Sequence, residues 1–383
     1  MGRSLIVTCA VSLMLLVAVS GWLLADGTTS NADALKTGGL AAGAVVALYA
    51  LWLNDRRRQV EERRQDIERR RQELETERHA LDGRRAEHDR ERVADERFAR
   101  AVELLGNPAD QVRVGALHAL AGLARSRPEY TQTVLDVVCS YLRRPFDHPH
   151  YADDRGRPPP AAVSGAAARA ARATTHADAE AYAPPTDEER EADRERQVRR
   201  AAQRIITELL GPAGTGAAYD LDLTDATLEY LDLRGLQVGD LVLRYARLYR
   251  SAKLDGLRVG GTAWLTRATF HGPFSCVDAG FERSLVLSEA TFRHDLRFDG
   301  TRVGGALKLA EVTVAGRASF TGARVDGGLD LTRATFDGDL DLRTEGAPAA
   351  HTIGMTVDTR REIELPAGWT PERIAGTPHA HVR

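Results

Sequence analysis

The chain has few of the residues from which redox, covalent or metal sites are built. It contains three cysteines among 383 residues, and Cys9, Cys139 and Cys276 lie far apart. This distribution predicts no disulfide and no thiol nucleophile, as expected of a chain kept mostly in a reducing compartment. The glycine-rich stretch 211–216 lacks the lysine and serine or threonine that a P-loop requires, so we interpret it as a hinge.

The histidines do not have the spacing of a metal site. His148 and His150 form one close pair, His379 and His381 form another, and neither pair has a cysteine or carboxylate at metal-ligand spacing. We expect all four to be exposed side chains of tails. The sequence therefore predicts no catalytic residue, no cofactor, no cofactor-binding residue and no metal ligand.

The chain also has no large excess of acidic or of basic residues. The formal net charge is -3 and the pI is about 6.4, which gives no case for nucleic-acid binding. Asp220 and Asp222, like Asp339 and Asp341, stand two apart on extended chain, so each pair is expected to point outward as solvating charge rather than act as an acid/base couple.

Two long apolar runs are present near the start, Ser4–Leu24 and Gly38–Leu53, and we interpret them as two transmembrane helices. Arg3 precedes the first run and a basic cluster at 56–58 follows the second. Positive residues favour the cytoplasm, so both termini are predicted to be cytoplasmic in a multi-pass membrane protein. Two alternatives stay open: a cleaved signal peptide ending near Ala25, or two core helices of a soluble protein.

Residues 55–97 form a charged block with no proline. Arginine and acidic residues alternate at three- and four-residue spacing, which predicts a long solvated helix. Val60, Ile67, Leu74 and Leu81 form one apolar line with a seven-residue step, but the second line that a coiled coil needs is occupied by charged residues. A single solvated helix and a weak dimer both remain open.

Residues 98–146 differ in composition from the charged block and are predicted to form compact helices. The middle helix resembles a helix of HEAT or armadillo repeats. Residues 147–187 are rich in Pro, Ala, Gly and Arg and are interpreted as a disordered linker. A further helix at 188–211 is expected to cap the segment that follows, because a stack of repeats needs its ends covered.

From Leu221 to Leu342 an apolar residue recurs every five or six positions, with another apolar or small residue two places before it. This period fits neither helix nor strand, so the chain must turn after each short segment and point the same side chains inward. We predict a solenoid in which these residues form the internal ladders: Leu223, Leu228, Leu233, Leu243, Leu248, Leu265, Phe270, Phe281, Leu287, Phe292, Phe298, Leu309, Phe320, Leu331, Phe336 and Leu342.

The triplets 226–228 (Ala-Thr-Leu) and 268–270 (Ala-Thr-Phe) have a small-X-Leu/Phe frame, and here the sequence resembles the pentapeptide-repeat family, whose motif A(D/N)LXX forms a right-handed quadrilateral β-helix. The alternation of five and six departs from the motif and looks like a variant within the family. We expect roughly six coils. An antiparallel sandwich is the alternative, although its strands would be longer. Corner glycines are expected where positive φ is least costly: Gly272, Gly304, Gly305, Gly316, Gly327, Gly328 and Gly338.

The predicted fold class is thus α plus β-solenoid, with the β-helix C-terminal to two transmembrane helices, a long charged helix and a small helical module. The boundaries are expected as follows: 1–54 spans, 55–97 stalk, 98–146 helical module, 147–187 linker, 188–211 capping helix, 219–343 β-helix, and 344–383 C-terminal cap and tail.

These modules favour a scaffold over an enzyme. The helical segment before the repeats resembles that of bacterial membrane proteins of the same family, which implies an inner-membrane protein presenting its β-helix to an unknown cytoplasmic protein partner. Two alternatives remain: a membrane sensor acting through stalk association, and a DNA-mimicking gyrase modulator such as some family members are. The balanced charge of residues 220–343 argues against the second alternative.

Overall fold

The computed structural model describes residues 2–25, 31–151, 186–214, 216–346 and 349–382. Most of the stretch interpreted as a linker, residues 152–185, lies outside these ranges. The chain divides into two compact units, Met1–Arg92 and Val93–Arg383. Each unit is described by itself below.

The first unit contains α1 (Gly2–Ala25) and most of α2 (Asn31–Leu105). The two helices pack through small residues: a Cβ added at Gly38 would lie 2.0 Å from the Ser20 Oγ and 3.1 Å from the Leu16 carbonyl oxygen. Ala42 is also buried at this contact. Small side chains let the two backbones approach closely, as is typical of paired apolar helices.

Within the described residues, one helical stretch is long and apolar enough to cross a membrane, Leu35–Asn54 with a mean hydropathy of 1.4. The apolar part of α1, Ile6–Trp22, is shorter. At 1.5 Å per residue it falls somewhat short of a hydrocarbon core of about 30 Å. The expectation of two spans is therefore not supported by length and composition.

The predicted stalk is helical throughout, because α2 continues without a break from the apolar stretch through the charged block to Leu105. Its described side chains between 67 and 92 are exposed. Ion pairs at i,i+3 spacing support it, such as Arg90 with Glu87 at 3.1 Å. Such pairs are worth a few tenths of a kcal/mol each, so the helix depends on many of them.

In the second unit, the end of α2 is followed by α3 (Asp110–Ser126), a 3₁₀ turn at Pro128–Tyr130, α4 (Thr131–Leu142) and α5 (Asp187–Leu209). Thr186 and Glu189 form a capping box that begins α5. The amphipathic helices bury Leu, Val and Ile side chains in one core continuous with that of the strands. The resemblance to HEAT repeats stays a prediction.

Short strands make up most of the remainder. In chain order they are β1 (Tyr219–Asp222), β2 (Thr227–Asp232), β3 (Gln237–Val242), β4 (Arg247–Lys253), β5 (Arg258–Val259), β6 (Ala263–Trp264), β7 (Thr269–Phe270), β8 (Phe274–Ser275), β9 (Gly280–Phe281), β10 (Leu285–Val286), β11 (Thr291–Phe292), β12 (Leu296–Arg297), β13 (Arg302–Val303), β14 (Leu307–Lys308), β15 (Thr313–Val314), β16 (Ala318–Ser319), β17 (Arg324–Val325), β18 (Leu329–Asp330), β19 (Thr335–Phe336), β20 (Leu340–Asp341), β21 (Ala350–His351), β22 (Thr356–Asp358), β23 (Ile363–Glu364), β24 (Pro371–Arg373) and β25 (His379–Val382).

These strands form a β-solenoid. Apart from those that end a ladder, the two-residue strands pair in parallel with the strand one coil earlier and one coil later, as Leu285 does with Ala263 and Leu307. Four such ladders run through the stack, and the one through β2, β4, β7, β11, β15, β19 and β22 has seven rungs. The stack thus has about seven coils, one more than expected.

The additional rungs lie beyond residue 343, where the repeat was expected to end. Ala350, Thr356 and Ile363 continue the ladders of Leu329, Thr335 and Leu340 in register. The period lengthens there, which hides these rungs from a pattern of fives and sixes. β25 then pairs antiparallel with β22, and β24 pairs antiparallel with β25, so the two strands cover the end of one sheet. Such a cover protects a row of unpaired backbone groups.

The corner glycines serve a different purpose from the one expected. Of those named above, Gly328 alone has a positive φ, of 108°. At the other corner glycines a side chain would not fit. A Cβ at Gly338 would lie 2.0 Å from the carbonyl oxygen of Gly316, and a Cβ at Gly272 would lie 1.7 Å from the carbonyl oxygen of Arg250. These glycines let the backbones of adjacent coils approach each other.

Positive φ occurs instead at a second set of corners, which mostly carry side chains. There the residue is the third of a turn closed by a hydrogen bond, such as that from the Ala268 N–H to the Leu265 carbonyl oxygen at 3.1 Å. The set repeats every eleven residues: Tyr245, Gly256, Arg267, Asp278, Glu289, Gly300, Glu311, Gly322 and Arg333.

Candidate interaction site

The predicted ladder residues, from Leu223 to Leu342, lie in the solenoid interior, and each is at most 2% exposed. Phe270 stacks on Phe292 with ring centroids 4.5 Å apart and planes within 6°. Phe298 stacks on Phe320 at 5.2 Å and 1°. Since these side chains are covered, they hold the coils together and cannot contact a partner.

Thiol chemistry is suppressed by burial. Burial raises the pKa of Cys139 to about 12, and it raises that of Cys276 well above its usual value. Both thiols therefore stay protonated near neutral pH and behave as small apolar side chains. Among the described residues, no group of three or more His, Cys, Asp or Glu side chains is placed to hold a metal ion.

The expectation of exposed histidine tails is wrong for His148. It is 3% exposed, its Nδ1 accepts the N–H of His150 at 3.1 Å, and its Nε2 lies 3.0 Å from a carboxylate oxygen of Asp193 on α5. Because Nδ1 accepts, the ring proton belongs on Nε2 and points at Asp193. His379, on β25, lies 3.1 Å from Asp337. His148 thus fastens the segment after α4 to α5, and His379 fastens the C-terminal strand to the solenoid.

The paired aspartates also do more than solvate the surface. Asp220 accepts the backbone N–H of Asp240 at 2.7 Å, so it bridges two coils. Asp341 is buried and accepts bonds from Arg343 and Thr321, and the Arg343 hydrogen bond is the main reason that the pKa of Asp341 lies well below its usual value. Both aspartates act as structural acceptors, and the buried Asp341 requires such donors.

Several charges on the outside of the solenoid are joined in pairs of opposite sign. Arg324 donates to Asp326 at 2.9 Å within one coil, and Arg267 donates to Glu289 at 2.7 Å across coils. Acidic and basic residues between 220 and 343 are also nearly equal in number, unlike the strongly acidic surface that an imitation of DNA requires. The gyrase-modulator alternative is therefore not favoured.

The junction between the helices and the first coil is unusually polar inside. Arg199 on α5 is 2% exposed and donates to the carbonyl oxygens of Leu142, Arg144 and Thr227. Its guanidinium also lies 4.9 Å from the ring of Phe146. Burial is the main cause of the lowered pKa of Arg199, which nevertheless remains charged. One cation thus connects α4, α5 and β2.

An aromatic column covers one side of the junction. Tyr151 stacks on Tyr249 at 3.9 Å, and Tyr249 stacks on His271 at 4.3 Å. These three rings come from the segment after α4, from β4 and from the residue that follows β7. Parallel stacking of this kind adds about 0.5–1.5 kcal/mol per pair beyond the buried area. The column therefore seals the start of the solenoid against the helical region.

A cleft of about 440 Å³ opens beside this junction, between α5 and β2. Its lining includes Arg200, Arg204 and Gln203 from the helix and Glu229 and Tyr230 from the strand. Glu229 is fixed by a hydrogen bond from the Arg196 Nε at 2.9 Å. The mixture of exposed aromatic, cationic and amide groups suits recognition of another polypeptide.

Tyr230 is the unusual member of this cleft. Its φ is 50°, and its side chain is 50% exposed with the Arg200 guanidinium 5.5 Å from the ring centre. A bulky residue in the left-handed region costs about 1–2 kcal/mol, and an exposed ring recovers little of this by burial. Nothing in the sequence pattern marked Tyr230, because it lies between the repeating apolar positions.

Tyr245 offers a close counterpart outside the cleft. Its φ is 59°, it is 45% exposed, and the Arg267 guanidinium lies 5.8 Å from its ring centre. Tyr230 and Tyr245 therefore share backbone conformation, exposure and a cation partner, and differ in whether they line a cleft. This pair allows the contribution of the cleft to be separated from that of the residue type.

Comparison with known proteins agrees with the architecture. A family model described as pentapeptide repeats (9 copies) matches residues 298–344. The matched stretch covers the later coils, from the end of β12 to the residues after β20. No curated protein and no solved structure matches the chain.

Proposed function

Because the chain is a pentapeptide-repeat protein, we propose that it is a scaffold whose β-solenoid binds a protein partner at the cleft between α5 and the first coil. Proteins built on such solenoids are generally structural or interaction proteins, so we assign no reaction to this chain. As in the rest of the family, we take the solenoid to be a right-handed, four-sided coil.

The observation that carries this proposal is Tyr230. An aromatic ring held half-exposed at a strained position, beside an arginine and next to a cleft, has the composition of a binding hot spot, since Tyr and Arg dominate such sites. Glycine would satisfy the same backbone at lower conformational cost. We infer that the Tyr230 ring serves a contact outside the chain, and Tyr245, which has the same strain and exposure but lies outside the cleft, is the matched comparison.

We further propose that the apolar helices anchor the protein in a lipid bilayer. Large apolar side chains on both helices are exposed, including Met14 and Trp22 on α1 and Leu40 and Leu48 on α2. Water would penalise this surface at about 25 cal/mol per Å², whereas lipid would cover it. Leu35–Asn54 would span the core, with α1 packed against it as a second, shorter membrane helix.

The charges around the apolar runs then set the orientation. Arg3 and the basic cluster at 56–58 would remain in the cytoplasm, so both termini would lie there, together with the solenoid. The charged part of α2 would lead away from the bilayer, with its first basic residues near anionic lipid. The inner membrane of a bacterium fits this arrangement. The partners we expect are lipid and a cytoplasmic protein, not nucleic acid.

The proposal is tested by capture of partners from native membranes with the full chain and with two variants, Tyr230→Gly and Tyr245→Gly. Both substitutions remove a half-exposed ring from a left-handed position, so both are expected to leave folding intact or to stabilise it slightly. Loss of a hot-spot tyrosine typically weakens binding by about 2 kcal/mol or more, roughly thirtyfold in Kd.

We expect a protein captured by the parent chain and by Tyr245→Gly to be lost with Tyr230→Gly. Thermal unfolding of each variant shows that the solenoid is retained. Equal capture by all three chains would contradict the assignment of the cleft, and the absence of any partner for the folded parent chain would contradict the scaffold function.

A further inference from the structure

The charged part of α2 carries an exposed apolar line. Ile67, Leu74 and Leu81 follow each other at seven-residue steps and are 54%, 55% and 49% exposed. Seven residues make almost two turns of a straight helix, so successive residues of this line are rotated by only about 20° about the helix axis. All three side chains therefore lie along one side of the helix. Large apolar residues at this spacing fill one of the two positions per heptad that form the seam of a two-stranded helical pair.

The two flanks of this line carry opposite charges. One flank consists of the residues four positions after Ile67, Leu74, Leu81 and His88. These residues are Arg71, Arg78, Arg85 and Arg92. The other flank consists of the residues directly before Leu74, Leu81 and His88. These residues are Glu73, Ala80 and Glu87. The residues of both flanks are exposed. One edge of the seam is thus wholly basic and the other is acidic or neutral.

This asymmetry selects both the partner and its direction. When two copies of such a helix run parallel and in register, each residue on the acidic edge faces the residue five positions later on the basic edge of the second copy. Glu73 then faces Arg78 of the second copy, and Glu87 faces its Arg92. Each contact occurs twice by symmetry. An antiparallel pair would instead place the arginine edges against each other.

We propose that α2 forms a parallel, in-register homodimer through residues 67–92. The positions between the apolar residues, Arg70, Glu77 and Arg84, are charged and meet their own copies at the seam. Their aliphatic stems extend along it while the charges turn to solvent. These positions weaken the dimer, so it forms at micromolar rather than nanomolar concentration. The inference rests on residues 67–92 alone and requires neither a bilayer nor the Tyr230 cleft.

Register and direction are tested by thiol cross-linking of the full chain. The background carries Cys9→Ser, because Cys9 is exposed whereas Cys139 and Cys276 are buried. Leu74→Cys places a thiol in the seam and Gln72→Cys places one on the opposite side of the same helical turn. We expect disulfide-linked dimer to form about tenfold faster from position 74 than from position 72, because the seam raises the effective thiol concentration.

Charge pairing is tested by Arg78→Glu alone and together with Glu73→Arg, with helix content checked by circular dichroism. Sedimentation should show a dimer Kd raised about tenfold by the single change, since each Glu73 then faces a like charge, and recovered by the double change. Equal cross-linking at positions 72 and 74, a monomeric parent chain at tens of micromolar, or a double variant no better than the single would overturn the proposal. None of these measurements uses the partner captured through Tyr230, so the two proposals can fail separately.

Discussion

The solenoid interior and the junction with the helices are both buried, yet they are built from different chemistry. Inside the coils most of the fully covered side chains are apolar, chiefly Leu, Phe, Val and Ala. At the junction the covered groups include the Arg199 guanidinium, the Glu229 carboxylate and the His148 ring. A repeating interior can be closed by apolar packing alone, because every coil presents the same surface to the next.

The junction has no such repetition. There α4 and α5 end against strands of a different geometry, and carbonyl groups at the end of α4 are left without helical partners. Arg199 satisfies the Leu142 carbonyl and, with it, carbonyls of the next segment and of β2. A change of architecture within one core therefore requires buried hydrogen-bond donors. The following predictions probe this difference, from the largest expected effect to the smallest.

Arg199→Met should lower the free energy of unfolding by about 3–5 kcal/mol, because it removes a buried positive charge and leaves the carbonyl oxygens of Leu142, Arg144 and Thr227 without the donor that Arg199 supplies. Chemical denaturation measures the loss. Arg194→Met, which removes an exposed i,i+3 pair on the same helix, is the matched control and should change stability by less than about 1 kcal/mol. Similar losses in the two variants would mean that the junction does not depend on its buried cation.

Gly338→Ala should destabilise the solenoid by about 2–3 kcal/mol through overpacking, because the new Cβ would lie 2.0 Å from the Gly316 carbonyl oxygen and backbone must move. The same change at Gly122 in α3 meets no atom within 4 Å and should stabilise by about 0.5–1 kcal/mol. Denaturation midpoints of the two variants should thus move in opposite directions. A neutral Gly338→Ala would show that adjacent coils can separate freely.

Acid should weaken the C-terminal coil in a defined pH range. The Arg360 side chain, by hydrogen bonding to Asp358, lowers the pKa of that carboxyl to about 2. Since the folded pKa lies below the unfolded value of about 3.9, this contribution is fully present above pH 4 and is lost as the pH falls towards 2.

Asp358→Asn should therefore flatten the decline in stability between pH 4 and pH 2, as measured by urea midpoints across that range. Asp326→Asn, at the exposed Arg324 pair, is the control and should retain the parental decline. An unchanged pH profile in Asp358→Asn would show that the Asp358–Arg360 bond contributes nothing to folding.

Much of the fold could be predicted because the repeat is a local pattern. Leu287, Phe292 and Phe298 are recognisable from spacing alone, since only a coil that returns at each step can bury all of them. The additional rungs at Ala350, Thr356 and Ile363 were missed because their spacing lengthens. The reason for the corner glycines was also misjudged, because a close approach between coils is not visible in one coil.

The candidate site could not be predicted to the same degree. Tyr230 and Arg200 stand thirty residues apart in the chain, and neither belongs to a motif. Their contact depends on how α5 lies on the first coil. The buried state of His148 is of the same kind, because its partner Asp193 follows beyond residues 152–185.

By itself, the sequence determined where the chain turns, which side chains enter the solenoid and where the long helices run, because these depend on residues a few positions apart. The tertiary structure alone decided which polar groups are buried, which glycines separate coils and where a cleft opens. These features depend on segments distant in the chain that approach within a few ångströms, and local periodicity contains no information about such distances.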